Sequence, residues 1–170
     1  IGASSMYAWQ FAKAQQVAKE NGWARFISMQ NQINLIYREE EREMIPLCLD
    51  QGVGLIPWSP IARGKLARPV GISTARAETD NVLENMYSKT MDADNAVISN
   101  VEKIANEIGR PMVQVALAWI RQKKGVAAPI IGYTRTEQLE QMLGGLDLVL
   151  DQEMIERLEA TYIPHVPVGF

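Results

Sequence analysis

The chain has 170 residues, 47% of them hydrophobic, and a formal charge of −3, which allows one sizeable core and disfavours a nucleic-acid surface. No apolar run approaches the roughly 20 residues of a membrane span, so no membrane partner is expected. One cysteine and one histidine cannot supply the usual N/S metal set or an internal disulfide, and the cysteine usage suits a cytoplasmic setting.

Ile1 reads as the last residue of a strand, which favours a chain cut from a longer one. Met6 to Asn21 has helical periodicity, with Tyr7, Phe11, Ala14 and Ala18 on one face and Gly22 as a stop. Phe26 to Met29 suits a short strand. A second helix is expected near Glu41 to Asp50, with Glu39, Glu40 and Glu41 at the positive end of its dipole and Pro46 tolerated only in the first turn. The run Arg38 to Arg42 then reads as a solvated helix start.

Cys48, between Leu47 and Leu49, reads as a small core residue. Val53 to Trp58 is almost wholly apolar, as a strand covered on both faces should be. Arg63 to Met91 is a long polar stretch of the kind that serves function or mobility. Helices follow at Asn95 to Ile108 and Pro111 to Lys123, the second with Val115, Ala118 and Trp119 inward, and Lys123-Lys124 complement its C-terminal dipole.

Val126 to Ile131 is a further strand. Thr134 and Glu137 have capping-box spacing for a helix to Leu143, and Asp151 opens a last helix with Ile155 and Leu158 inward. His165, the only histidine, lies between two prolines in the tail and reads as a tail contact.

Strands alternating with helices imply a parallel α/β sheet, and no G-x-G-x-x-G follows a strand. Four strands end in polar clusters: Ser4-Ser5, Gln30-Asn31-Gln32, Ser59-Pro60 and Gly132-Tyr133-Thr134. In a (β/α)8 barrel such ends together build the active face, so the barrel is the better reading.

Five segments in order, "IGASSM", "QNQINL", "IPWSPIARGKL", "PMVQVALAWI" and "IIGYTRTEQLEQML", closely resemble the C-terminal half of an aldo-keto reductase of the fungal aryl-alcohol-dehydrogenase type. The resemblance implies that residues 1–170 form a single half-barrel of about four βα units. It implies NADP(H) as cofactor and a carbonyl or alcohol small molecule as substrate. Ser4, Ser5 and Gln32 would hold the nicotinamide carboxamide, and Trp58 would stack on the ring. Ser59, Ile61, Arg63, Gly64 and Leu66 would follow the pyrophosphate. Gly132, Thr134, Arg135, Gln138 and Gln141 would surround the adenosine and its 2′-phosphate.

Two positions depart from the family pattern: Ser5 replaces the commoner Asn, and Met142 stands where an Asn usually reaches the adenine. The family's Asp, Tyr, Lys and His tetrad belongs to the first four strands, so no catalytic residue is assigned within 1–170. A partner completing the barrel is expected, either an N-terminal half or a second copy.

Taken singly, each residue has a plainer reading. Ser4-Ser5 serves as an N-cap, Gln32 as a satisfied buried amide, Trp58 as core and Arg135 as a solvated charge. The alternative function is a half-barrel without reductase activity that binds a ligand or partner, or runs a redox-neutral dehydration or cyclisation.

Overall fold

The computed structural model describes residues 1–72, 87 and 90–167. Strand β1 (Gly2–Ser4) pairs in parallel with β2 (Ser28–Gln30), and β2 with β3 (Gly54–Leu55), in the order β1-β2-β3. A fourth extended segment joins β3 through the parallel bridges Leu55↔Val126 and Trp58↔Ile130. The sequence anticipates a regular strand over Val126 to Ile131, but Pro129 has no N–H to donate and only these bridges form. Four consecutive strands laid side by side without a reversal are the arrangement of a barrel wall, not of a sheet with a switch point.

Alternation along each strand sorts its residues to two faces. Ala3, Met29 and Leu55 are paired across the sheet and buried under the helices. The other face carries Gly2, Ser4, Ser28, Gln30 and Gly54, all exposed or half-exposed. It must stay small, because a Cβ on Gly2 would run into the Ser28 hydroxyl.

Helix α1 (Ala8–Glu20) buries Phe11, Gln15 and Ala18, while Tyr7 stays exposed in front of it. Gln15 grips the approach to β2 at both ends of its amide: Nε2 donates to the Phe26 carbonyl (3.0 Å) and Oε1 accepts from the Phe26 N–H (2.9 Å). Phe11 and Phe26 rings meet at 5.8 Å, a tilted pair that contributes about 0.5–1.5 kcal/mol beyond its burial.

The second helix begins later than its acidic run suggests. Glu39–Glu41 form a 3-10 turn, and α2 (Met44–Gln51) follows, with Pro46 in its first turn and Gly52 in the left-handed region at its end. Arg38 to Arg42 is therefore not a solvated helix start: Glu39 and Glu40 are buried, and Arg38 binds Glu41 and Glu159. Cys48 is fully buried in α2, where desolvation, then the Glu40 charge, push its thiol up to about 11.

Of the long polar stretch, residues 62–67 form tight turns and residues 73–86 and 88–89 lie outside the described residues. Helix α3 (Met91–Glu107) starts four residues before its apolar periodicity does. Helix α4 (Met112–Gln122) buries Val115, Ala118 and Trp119 as its pattern requires. Helix α5 (Thr136–Leu143) follows the fourth strand segment, and α6 (Gln152–Glu159) is capped by the Asp151 carboxylate, which accepts from Met154 N–H at 2.8 Å. The α5 start corrects the expected Thr134–Glu137 box. Gln138 reaches back instead, and its Oε1 accepts from the Thr134 N–H (2.9 Å) and hydroxyl (3.2 Å) and from the Arg135 N–H (3.2 Å).

Lys123 does more than complement a helix end. It pairs with Glu41 (3.0 Å) and Glu159 (2.7 Å) and lies 4.6 Å from the Trp119 ring centre. Glu159 also accepts from Trp119 Nε1 (2.8 Å) and Arg38 Nη2 (2.7 Å). Burial raises the Glu159 pKa, but bonds from Lys123 and Trp119 and the nearby cations outweigh it and hold the carboxyl below its ordinary value.

Candidate cofactor-binding site

The strand ends converge. Parallel bridges Gln32↔Trp58 and Trp58↔Ile130 set three residues in a row across β2, β3 and the fourth segment. Trp58 N–H donates to the Asn31 carbonyl at 2.9 Å, and its indole Nε1 approaches the Ser5 hydroxyl at 3.4 Å. Ser5, Gln32 and Trp58 are thus neighbours although 53 residues separate the first and last. Ser4 keeps its hydroxyl near the Gln30 carbonyl, at 3.4 Å.

Beyond Trp58 the chain turns sharply. Ser59, Ala62 and Arg63 all take positive φ (54°, 48° and 53°), followed by Gly64 at 98°. Non-glycine residues rarely do so, and such local strain gathers where a loop must present its backbone in one shape. Asn34 holds this turn from the end of β2, its Nδ2 donating to the Ser59 carbonyl at 3.0 Å. The turn is also anchored from below, since Ala62 and Leu66 are fully buried.

A groove of about 570 Å³ opens against this turn, within the ~300–1,000 Å³ range of ligand pockets. Trp58, Ser59, Ile61, Arg63 and Gly64 form one wall, and Gly132, Thr134, Arg135, Gln138 and Gln141 the other. Val113 and Met142 supply apolar lining, and Arg68 joins the first wall. Ten of the fourteen site residues expected from sequence therefore line one groove. Ser4, Ser5 and Gln32 lie along the strand ends outside its lining, and Leu66 points into the core with its N–H on the Ile61 carbonyl (3.3 Å).

Charge distinguishes the groove from the rest of the molecule. Among the described residues, arginines 63, 68 and 135 line it and no carboxylate does, in a chain whose formal charge is −3. Such a surface suits a polyanion.

Beside the groove, two buried amides carry oxygens with no hydrogen-bond partner among the described residues, Asn31 Oδ1 and Gln32 Oε1. The other end of the Gln32 amide is tied: Nε2 donates to the Tyr87 hydroxyl at 2.8 Å, and Asn34 Nδ2 donates to the same oxygen at 3.2 Å. Burial pushes the Tyr87 phenol up to about 12, so it stays neutral. Sequence reasoning passed over Asn34, Arg68 and Tyr87. Asn34 stands two residues beyond Gln32, just past the end of β2, which was a usable signal, whereas Tyr87 stood as a lone aromatic in a stretch read as loop.

A profile described as "Aldo/keto reductase family" matches residues 1–163. The chain belongs to the aldo/keto reductase family. It is 47% identical over 166 residues to versiconal hemiacetal acetate reductase of Aspergillus parasiticus, covering 96% of this chain and 48% of that protein. Aldo-keto reductase AMT2 of Alternaria alternata is 44% identical over 171 residues (99% and 45%). The aryl-alcohol-dehydrogenase-type protein C977.14c of Schizosaccharomyces pombe is 43% identical over 173 residues (99% and 47%). The chain spans about half the length of these relatives. All five sequence segments that carried the resemblance fall inside the matched span. Among the described residues no helix is long and apolar enough to cross a membrane.

Proposed function

We propose that residues 1–170 form the nucleotide-holding half of an NADP(H)-dependent aldo-keto reductase that interconverts a small aldehyde or ketone with its alcohol. The groove at the converging strand ends, with three arginines on its walls, is the observation that carries this reading. The residues present fit the nucleotide. Arginines suit phosphates, the Trp58 indole suits a flat ring, and the unpartnered Gln32 Oε1 suits a carboxamide N–H.

Each group then has a task. Arg63 and Arg68 face the pyrophosphate across the strained turn, while Arg135 at the start of α5 takes the 2′-phosphate. Trp58, steadied by Ser5, fixes which face of the nicotinamide is presented. Gln32 fixes the ring's rotation. The bound nucleotide supplies the hydride; this half of the protein supplies position.

Among the described residues neither lysine nor histidine lines the groove, and in this reading the proton for the alkoxide is supplied from elsewhere. A barrel-completing partner, an upstream half or a second copy, provides it. The single buried thiol fits a cytosolic setting.

The test is a fluorescence titration of the folded protein with NADPH, competed by 2′-phospho-ADP-ribose. Energy transfer from tryptophan to the reduced nicotinamide, abolished by the competitor, is the expected result. Absence of binding by either ligand overturns the reading.

A further inference from the structure

Gln32 is buried, paired at one end of its amide and, among the described residues, unpaired at the other. Buried polar groups are nearly always satisfied, so the free oxygen asks for a donor from a ligand. The paired end asks a different question: what keeps the amide from turning its oxygen to the phenol instead? The answer lies two residues further along the chain, at Asn34.

Asn34 has no freedom of orientation. Its Oδ1 accepts from the Ile36 N–H (3.1 Å), and its Nδ2 donates to the Ser59 carbonyl (3.0 Å). A backbone N–H can only donate and a carbonyl can only accept, so both ends of Asn34 are fixed. The same Nδ2 also meets the Tyr87 oxygen at 3.2 Å, which makes that oxygen an acceptor. A phenol oxygen already receiving one N–H is well placed to receive a second from Gln32 Nε2 at 2.8 Å.

We infer that Tyr87 is a positioning residue for the nucleotide's amide end. Through its hydroxyl it holds the Gln32 side chain with Oε1 turned away, ready to accept from a carboxamide. This rests on the nucleotide reading of the site and names a residue for one part of it. Tyr87 is absent from the groove lining; its hydroxyl meets Gln32, Asn34 and Ser59, and its influence on the carboxamide end passes through Gln32. Lys65, 5.7 Å from the Tyr87 ring centre, keeps a cation near the phenol face and links this contact to the turn that bears Arg63 and Gly64.

The inference separates two kinds of ligand. One carries the carboxamide and the other shares everything except the nicotinamide end. In the protein in its full-length form, Tyr87→Phe removes the hydroxyl and keeps the ring. Affinity for NADPH should fall roughly 3- to 10-fold, the effect of one hydrogen bond, while affinity for 2′-phospho-ADP-ribose stays unchanged. The preference for NADPH over its 3-acetylpyridine analogue, whose ring substituent has no N–H to donate, should shrink as well. Gln32→Met should cause the same losses, and Tyr87→Phe added to it should cause no more.

An equal loss of both ligands would mark Tyr87 as merely structural and overturn the inference, as would no loss of either. Should Tyr87→Phe fail to fold, nitrogen-15 spectra of the unsubstituted protein decide. The Gln32 side-chain amide should be protected from exchange without nucleotide and shift with NADPH but not with 2′-phospho-ADP-ribose; a freely exchanging or unresponsive amide overturns it. If neither ligand binds the unsubstituted protein, the nucleotide reading itself fails and the role of Tyr87 falls with it.

Discussion

His165 Nε2 lies 2.9 Å from Asp94 Oδ1, with both side chains almost wholly shielded from solvent. Its Nδ1 faces the Ile163 carbonyl at 2.6 Å. An acceptor at each ring nitrogen favours the doubly protonated, cationic ring. Thr90 donates to the other Asp94 oxygen, Tyr162 stacks on the imidazole at 5.5 Å, and Glu39 accepts from the His165 N–H and the Tyr162 hydroxyl. The tail is pinned to α3 and to the 3-10 turn.

This pinning depends on pH in a defined direction. The Asp94 bond first, and then the Asp94 charge, the Ile163 carbonyl and Glu39, raise the His165 pKa above its ordinary 6.5 against the opposing effect of burial. A raised folded pKa means the stabilisation is complete below 6.5 and lost as pH rises through the folded value. Melting temperature should therefore decline over that window. His165→Phe keeps a stacked ring, should be less stable at low pH, and should flatten the decline; an unchanged profile would remove His165 from the account.

Arg135 stands at the N-terminus of α5 beside Thr134, on the groove wall. Arg135→Ala should weaken NADPH by about 5- to 10-fold and leave NADH nearly unaffected, the discount from a fully buried pair reflecting its exposure. Parallel titrations with the two nucleotides check this. Equal affinities in the unsubstituted protein would leave Arg135 without a role.

Gly64 combines φ of 98° with a tight neighbour, since a Cβ there would stand 2.8 Å from Arg68 Nη2. The arginine tip can yield, but the backbone cannot. Gly64→Ala should cost about 1–2 kcal/mol in urea unfolding and also lower nucleotide affinity by displacing Arg68. A variant of unaltered stability would show that the turn relaxes easily.

Residues 1–170 alone should not reduce aromatic aldehydes with NADPH. Among the described residues Tyr133 is the one tyrosine lining the groove, and no lysine lines it to assist a proton transfer. General acid help is typically worth about 10²–10⁴-fold, so its lack should abolish measurable turnover. Activity should return when a barrel-completing half is supplied. Turnover by 1–170 that vanishes in Tyr133→Phe would identify a different acid.

The barrel wall was legible because its signals are local. Four apolar segments each ended in polar residues, and the helices showed a 3.6-residue period. The groove walls were legible for the same reason, since Trp58 to Gly64 and Gly132 to Gln141 are continuous segments. What escaped notice depends on contacts distant in sequence. Glu39 and Glu40 looked solvated because nothing in their neighbourhood announces Tyr162 or His165, more than 120 residues away. Tyr87 meets Gln32 across 55 positions, and no periodicity encodes such a meeting. Gln138 displaced Glu137 as the cap partner of α5 because an amide oxygen there reaches two backbone N–H groups at once.

The place of Glu159 has a consequence for synthesis. A ribosome releases Arg38, Trp119 and Lys123 well before it releases this carboxylate, which binds all three. Until the last helix emerges, two cations crowd one indole with Glu41 as their neutralising neighbour. The nascent chain therefore carries an unfinished electrostatic joint between elements distant in sequence, and the emergence of Glu159 closes it. A stop codon placed just upstream of position 159 would leave that joint open.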